Sequence, residues 1–214
     1  MKIGLFFGSF NPVHFGHLRI AIEAYEQLDL DAVWFVVSPQ NPQKDNKELL
    51  DQKLRMHLIH DAIDELFSNE KYNIYNVFHV VDIESKLKPP YYTSNTLKYI
   101  LNNPYEYQAE EFVLIMGDDS LTHMDSWHEY EYILENFSIA VYPRNNVFGD
   151  LRWMMENENL KLKSVKKIDA PLMDVSSSLI RKKIKEGKSV NYLLPESIIY
   201  KFKKYNYFGI NDHL

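Results

Sequence analysis

Short apolar segments alternate along this chain with longer segments in which apolar residues recur at helical spacing. The short segments are rich in Val, Ile, Phe and Tyr, as buried strands are. Regular alternation of strands and helices is typical of a parallel sheet whose strands are connected by crossover helices. The predicted strands are Lys2–Phe7, Ala32–Val37, Ile74–Val81, Phe112–Met116, Ser138–Tyr142 and Ser164–Ile168.

The helical segments show apolar faces and polar residues that suit helix starts. Thr93 and Ser176 each begin a run with N-cap chemistry, and Pro195 is expected at the first position of the last helix. The sequence therefore predicts an α/β fold with a doubly wound, mostly parallel sheet. The predicted helices are Gly16–Leu28, Leu49–Phe67, Thr93–Leu101, Ser176–Ile184 and Glu196–Tyr205.

The composition indicates how many domains the chain forms and which partners are not expected. The chain has 214 residues, of which 45% are hydrophobic and 14% aromatic, enough for one well-packed domain over residues 1–214. Residues 176–208 are expected to be its C-terminal helical portion. The net charge of -6 argues against a protein that neutralises a nucleic-acid backbone, so no nucleic-acid partner is expected.

The chain is expected to be cytoplasmic. It contains no cysteine, which suits a reducing compartment. Its N-terminal apolar run is too short for a signal peptide, and the later runs are far shorter than the roughly 18 residues of a membrane span. No membrane partner is therefore expected, while a homo-oligomer is left open.

The stretch GSFNPVHFGH, residues 8–17, lies between the first predicted strand and the first predicted helix. Open parallel sheets bind ligands at the carboxyl ends of their strands, where helix N-termini favour phosphate. Gly8 permits a tight turn with close approach of the backbone. His14 and His17 are spaced so that both imidazoles can face one phosphate. The alternative interpretation is helix capping or surface placement.

Two further stretches carry polar groups to predicted element ends. Ser176, Ser177 and Ser178 bring hydroxyls and free amides to a helix start, with Arg181 one turn later, which makes a second anion site. A serine-capped helix with a surface arginine is the alternative. Asp118 and Asp119 follow the fourth strand and can accept hydrogen bonds from a ribose or an adenine amino group, or can form a turn and cap a helix.

These motifs resemble those of one enzyme family. Gly8–Leu18 resembles the opening of nicotinate mononucleotide adenylyltransferases and contains the HxGH signature of the nucleotidyltransferase superfamily. Ser176–Arg181 resembles the ISSTxIR motif of that superfamily. The resemblance extends from Lys2 to Arg181. It implies a Rossmann-like fold that transfers the adenylyl group of ATP to nicotinic acid mononucleotide, with Mg²⁺ bound through the ATP phosphates and no metal held by the protein itself.

The resemblance also implies roles for individual residues. The catalytic residues would be His14, His17 and Arg181. The implied ATP-binding residues are Gly8, Ser9, Phe10, His14, His17, Gly117, Asp118, Asp119, Ser176, Ser177, Ser178 and Arg181. The implied mononucleotide-binding residues are Ser9, Phe10, Lys44, Thr93 and Trp127.

In the mononucleotide set, Trp127 would stack on the pyridine ring and Thr93 would bind its carboxylate. Lys44 belongs to a loop similar to the family's P-x-x-x-P-H-K segment, in which a lysine approaches substrate phosphates. Arg144 closes the fifth strand and is either structural or faces phosphate. The chain departs from the family pattern at Gln43, where a histidine is usual, and at Asn95, where an aspartate is usual.

Other functions share parts of this pattern. The histidine and serine motifs indicate ATP, whereas the acceptor depends on the segments Tyr92–Leu97 and Asp118–Trp127. Nicotinamide mononucleotide and phosphopantetheine are therefore alternative acceptors. A class I aminoacyl-tRNA synthetase would need a lysine-rich second motif and larger parts that bind tRNA, and neither is visible. A non-catalytic nucleotide sensor would be expected to lose the histidines, and both are present.

Overall fold

A computed structural model of the chain describes residues 1–40, 48–68, 75–143 and 162–210. Its described strands form one six-stranded parallel sheet in the order β3-β2-β1-β4-β5-β6. The strands are β1 (Lys2–Gly8), β2 (Ala32–Val37), β3 (Phe78–Val81), β4 (Glu111–Gly117), β5 (Ser138–Tyr142) and β6 (Ser164–Lys167).

Helices follow most of the strands in the chain and cover both faces of the sheet. The α-helices in the described residues are α1 (Phe15–Gln27), α2 (Gln52–Phe67), α3 (Thr93–Asn102), α4 (Asp118–Thr122), α5 (Tyr130–Asn136), α6 (Ser177–Lys185) and α7 (Glu196–Tyr205).

The core consists of two apolar clusters, one on each face of the sheet. Side chains of a strand alternate between the clusters, as the two-residue period of a strand requires: Val113 and Ile115 of β4 join one, and Leu114 and Met116 join the other. The first cluster includes residues of α1, α2, α6 and α7, and the second includes residues of α3, α4 and α5. Strands buried on both faces explain the continuous apolar runs in the sequence.

The strand order confirms the predicted α/β doubly wound fold. The chain runs outward from β1 to β3 and then returns to add β4 on the other side of β1. This reversal makes a crevice at the carboxyl ends of β1 and β4, where doubly wound proteins bind ligands. Among the described residues, no helix combines the length and apolar character needed to cross a membrane.

Two predicted element starts differ from the structure by more than one residue. Tyr75–Val77 forms a 3-10 turn and not part of a strand, because β3 pairs only with β2 and that pairing begins at Phe78. Leu49 and Leu50 precede α2, which begins at Gln52. Asp51 is its N-cap, because the Asp51 carboxylate accepts hydrogen bonds from the amides of Lys53 and Leu54.

The predicted caps have mixed outcomes. Ser176 is confirmed as an N-cap, since its hydroxyl accepts a 3.1 Å hydrogen bond from the amide of Leu179. The expected capping role of Thr93 is wrong: the N-cap of α3 is Tyr92, with no side-chain cap, and Thr93 is the first helical residue. Pro195 is the N-cap of α7, one position before its predicted place.

Candidate active site at the carboxyl edge of the sheet

The loop after β1 is held by a buried aromatic ring. Phe10 has a left-handed backbone with φ of 44°, and its ring is 1% exposed. A Cβ atom at Gly8 would lie 2.8 Å from Cζ of Phe10, so only glycine leaves room for this ring. The ring also packs edge-on against His17, with centroids 5.0 Å apart. A strained residue thus supports the imidazole, as strained residues often do at functional sites.

The two histidines lie side by side at the start of α1. His14 is the N-cap, and its carbonyl accepts hydrogen bonds from the amides of His17 and Leu18. The imidazoles stack with centroids 3.7 Å apart and are 2% and 8% exposed. A Cβ at Gly16 would lie 2.8 Å from Val175 and 3.0 Å from Nδ1 of His14. Glycine between the histidines therefore permits the stack and brings the segment before α6 close to α1.

The start of α6 is in direct contact with the loop after β1. The hydroxyl of Ser177 donates a 2.9 Å hydrogen bond to the carbonyl of Pro12. Arg181, one turn into the helix, donates through Nη1 to the carbonyl of Asn11 at 2.7 Å. Two helix N-termini, with their unpaired amides and positive dipole ends, therefore meet at one place, which suits an anion.

Arg181 is also part of an ion-pair group. Its Nη2 lies 3.3 Å from the hydroxyl of Ser178, and its Nε lies 3.3 Å from Oε2 of Glu48, whose other oxygen pairs with Lys185. The hydrogen bond from Lys185 and, more weakly, that from Arg181 lower the pKa of Glu48. Glu48 therefore stays ionised at neutral pH and acts as a counter-ion to the two cations.

These groups surround a cleft of about 330 Å³ at the carboxyl ends of β1, β2 and β4. Thirteen of the residues singled out in the sequence line it, from both ends of the chain. Their individual roles stay predictions. They are Gly8, Ser9, Phe10, His14, His17, Thr93, Gly117, Asp119, Trp127, Ser176, Ser177, Ser178 and Arg181.

One residue predicted to bind ATP does not line the cleft, and two other predictions fall outside the described residues. Asp118 is the first residue of α4 and is 4% exposed, and it is not among the lining residues, because the helix start directs Asp119 to the cleft instead. Lys44 and Arg144 lie outside the described residues.

The cleft has an aromatic end. Trp127, Tyr92, Thr93 and His128 line it together, and the rings of Tyr92 and His128 have centroids 4.4 Å apart. Trp127 is half-buried and also packs against the apolar cluster on the α3–α5 face. Thr93 is the first residue of α3, where backbone amides have no intrahelical partner. This end can hold a flat ring beside hydrogen-bond donors.

Arg55 was not predicted from the sequence as a residue of the site. This residue lies on the inner face of α2 and is fully buried, and its guanidinium donates hydrogen bonds to the carbonyls of Ser9, Ser38, Pro39 and Leu50. The sequence does contain an indication of its burial. Arg55 precedes Leu58 by three residues and Ile59 by four, so the helical period places this charged residue on the face of the helix that packs against the core.

Two other polar residues near the cleft were also missed. Asn11 is 4% exposed and ties its loop to the next, since its amide donates to the carbonyl of Glu48 and accepts from the amide of Leu50. Glu84 is 1% exposed and accepts a 3.0 Å hydrogen bond from the hydroxyl of Thr96. Burial raises the pKa of Glu84. Nothing in the sequence near Glu84 signals that it is buried.

The donor set of the cleft is suited to phosphate. Serine hydroxyls, imidazoles, a guanidinium and two helix starts are groups that bind phosphate oxygens. Within the described ranges, no group of three or more His, Asp or Glu side chains could hold a metal ion.

Known proteins resemble this chain over most of its length. The family model described as cytidylyltransferase-like matches residues 5–183. A protein of Flavobacterium johnsoniae named "probable nicotinate-nucleotide adenylyltransferase" is 43% identical over 201 residues, covering 92% of this chain and 94% of that protein. A protein of the same name from Bacteroides thetaiotaomicron is 35% identical and covers 100% of this chain and 96% of its own length.

Solved structures with the same fold are more distant in sequence. The nicotinic acid mononucleotide adenylyltransferase of Plasmodium falciparum, complexed with NaAD, superposes with a TM-score of 0.76 at 20% identity, over 98% of each chain. A Vibrio parahaemolyticus structure described as a putative nicotinate-nucleotide adenylyltransferase gives a TM-score of 0.64 at 17% identity. At these identities the superpositions show a shared fold.

Proposed function

Since this chain belongs to the cytidylyltransferase-like family and, within it, to the nicotinate-nucleotide adenylyltransferases, we propose that it joins the adenylyl group of ATP to nicotinic acid mononucleotide. The products are nicotinic acid adenine dinucleotide and pyrophosphate. The observation that carries the proposal is the meeting of the histidine helix and the serine helix at one cleft, through Ser177 with Pro12 and Arg181 with Asn11.

The proposed reaction is a direct displacement at phosphorus. A phosphate oxygen of the mononucleotide forms a bond to the α-phosphorus of ATP. The bond from that phosphorus to the oxygen bridging it to the β-phosphorus breaks, and pyrophosphate leaves with the electron pair. Because no covalent enzyme intermediate is needed, the protein contributes alignment of the two phosphates and stabilisation of their charge.

The residues divide this work in the proposal. His14 and His17 donate hydrogen bonds to the oxygens of the α-phosphate, where negative charge accumulates. Ser178 and Arg181, together with the amides that begin α6, hold the β- and γ-phosphates and so receive the departing pyrophosphate. Gly8, Ser9, Phe10, Gly117 and Asp119 also line the cleft, and the proposal assigns them to contacts with ATP.

Phosphate oxygens of ATP coordinate Mg²⁺ in this proposal. The serine hydroxyls and Arg181 line the cleft, and the described part of the chain shows no carboxylate cluster that could bind a metal ion by itself, which supports a metal ion carried by the nucleotide. When bound, Mg²⁺ supplies further neutralisation of charge on the leaving pyrophosphate. The proposed compartment is the cytoplasm, in keeping with the reducing environment that a cysteine-free sequence suits.

The acceptor site is proposed at the aromatic end of the cleft. The pyridine ring stacks on Trp127, and its carboxylate accepts hydrogen bonds from Thr93 and the amides that begin α3. The proximity of this end to the histidines, within one cleft, supports the acceptor assignment. Lys44, which lies outside the described residues, is proposed to approach the mononucleotide phosphate.

The test supplies the purified protein with ATP, Mg²⁺ and one of three acceptors: nicotinic acid mononucleotide, nicotinamide mononucleotide or phosphopantetheine. Pyrophosphate and dinucleotide are quantified for the wild type and for His17→Ala. We expect turnover with the acid mononucleotide that falls by at least about 100-fold in the variant. Turnover with a different acceptor would overturn the acceptor assignment. Absence of turnover with all three would contradict catalysis and favour a nucleotide sensor.

A further inference from the structure

Arg55 has the largest fully buried side chain among the described residues. Its Nη1 donates hydrogen bonds to the carbonyls of Ser9 at 2.6 Å and Ser38 at 2.9 Å. Its Nη2 donates to the carbonyl of Pro39 at 3.1 Å, and its Nε donates to that of Leu50 at 2.8 Å. One guanidinium therefore binds the backbone of three separate segments.

Two of the four residues that bind Arg55 through their carbonyls line the cleft. Ser9 follows β1, Ser38 and Pro39 follow β2, and Leu50 precedes α2. Ser9 and Ser38 line the cleft, so Arg55 holds the cleft wall from behind. A carbonyl can only accept hydrogen bonds, and arginine is the side chain with five N–H donors in a fixed plane. Few other side chains could join these segments at once.

Arg55 is a buried charge whose desolvation must be offset by its hydrogen bonds. Burial lowers the pKa of Arg55 to about 10, against an attraction to the Asp51 carboxylate that raises it. The side chain is therefore still charged at neutral pH, and a buried charge carries a large desolvation penalty. An apolar residue of similar volume would avoid that penalty but would leave the four carbonyls without these donors. The hydrogen bonds to the carbonyls, and the loop geometry that they fix, therefore explain the arginine.

We propose that Arg55 is a positioning residue for adenylyl transfer. By fixing the loops after β1 and β2 relative to each other, it holds the wall of the cleft in the geometry that aligns the mononucleotide phosphate with the α-phosphate of ATP. This proposal rests on the function proposed above, because the alignment has a catalytic meaning only if the two phosphates react in this cleft.

The first variant is Arg55→Lys, which keeps the positive charge and replaces the planar fork by a single ammonium that cannot span the four carbonyls. Arg19→Lys is the matched control, because Arg19 is half exposed on α1 and pairs with Glu23 at 2.5 Å. We expect kcat/KM of Arg55→Lys to fall about 10- to 100-fold at temperatures where it is fully folded, since small misplacements of reacting groups have effects of that size. The control should stay within twofold of wild type.

Hydrogen exchange supplies a readout that does not depend on activity. Loss of the guanidinium fork should speed amide exchange in peptides containing Ser9 and Ser38, and leave β4 and β5 protected as in the wild type. If Arg55→Lys kept kcat/KM within twofold of wild type, or if its amide exchange rose uniformly over the sheet, the proposal would be overturned. If the wild type itself transfers no adenylyl group, the proposed function fails, and the exchange pattern alone then decides whether Arg55 fixes the two loops.

A second variant is measured in case Arg55→Lys does not fold. Arg55→Gln is neutral and retains two N–H donors, so it avoids burying an ammonium. It is measured by the same kinetic and exchange experiments, with the same expected results. If neither variant folds, Arg55 is required for the fold itself, and the positioning role is overturned.

Discussion

Replacement of Gly16, the glycine between the two histidines, should slow catalysis, and the packing around Gly16 sets the size of the effect. In Gly16→Ala, the new Cβ would lie 2.8 Å from Cγ1 of Val175 and 3.0 Å from Nδ1 of His14. Carbon atoms normally approach to about 3.5–4.0 Å, so the contact with Val175 is too short by about 0.7 Å or more. The His14 ring already stacks on His17 at 3.7 Å, which limits the directions in which it can move.

Two effects on stability partly cancel in Gly16→Ala. Overpacking of a core position costs about 1–3 kcal/mol. Alanine gains about 1 kcal/mol over glycine in a helix. The net loss of about 0–2 kcal/mol lowers Tm by no more than about 8 °C in a chain of this size. Displacement of reacting groups by about 1 Å can reduce a rate by about 100-fold, so we expect kcat to fall about 10- to 100-fold.

The assay measures kcat for dinucleotide formation and Tm by calorimetry, with Gly187→Ala as the control. Gly187 has φ of 65° and nothing within 4 Å of an added Cβ, so alanine there strains the backbone by about 1–2 kcal/mol without touching the cleft. We expect the control to lose stability and keep its kcat. A kcat of Gly16→Ala within twofold of wild type, or activity losses in both variants in proportion to their loss of stability, would contradict a packing effect on the histidines.

Three further substitutions test other parts of the account. Trp127→Ala should raise KM for nicotinic acid mononucleotide about tenfold and leave KM for ATP unchanged, because a lost stacking partner weakens only the pyridine contact; equal changes in both constants would contradict this. Glu48→Gln should lower KM for ATP a few-fold at low salt, because Arg181 then no longer pairs with a carboxylate; a raised KM would show that Glu48 assists binding. Glu65→Ala should destabilise the fold by about 1 kcal/mol, since the carboxylate accepts hydrogen bonds from two amides at the start of α7. Burial by itself would raise the pKa of Glu65, but the hydrogen bonds from Ser197 and the helix start outweigh burial and lower the pKa. The difference in Tm between Glu65→Ala and wild type should therefore be largest at pH 7 and become smaller as the pH falls below about 4. A difference in Tm that does not change with pH would contradict the capping role.

The four inner strands β1, β2, β4 and β5 were predictable because they are buried on both faces and so read as continuous apolar runs. The start of β3 was not, since its length depends on how far β2 offers a partner. Helices α4 and α5 were not predicted, because five and seven residues are too few to show a helical period. The start of α2 depends on the N-cap residue Asp51. Nothing in the local sequence distinguishes Asp51 from the other polar residues that could cap a helix there.

The predicted site residues that line the cleft belong to motifs at element boundaries, where glycine, histidine and serine have backbone or capping reasons to occur. The supporting contacts were not predictable, because they join residues far apart in the chain: Arg55 and Ser9 are 46 positions apart, and Arg181 and Asn11 are 170 apart. Asp118 shows the limit of motif placement, since adjacent residues of a helix start face different surroundings. A domain spanning the full chain stays a prediction.

The most direct test of the account is a crystal structure of this protein with nicotinic acid adenine dinucleotide bound. We expect the diphosphate to lie between the imidazoles of His14 and His17 and the start of α6, and the pyridine ring to lie against Trp127. Such a complex would show that one cleft holds both halves of the product. A diphosphate bound away from the two histidines, or a pyridine ring outside the aromatic end of the cleft, would contradict the account.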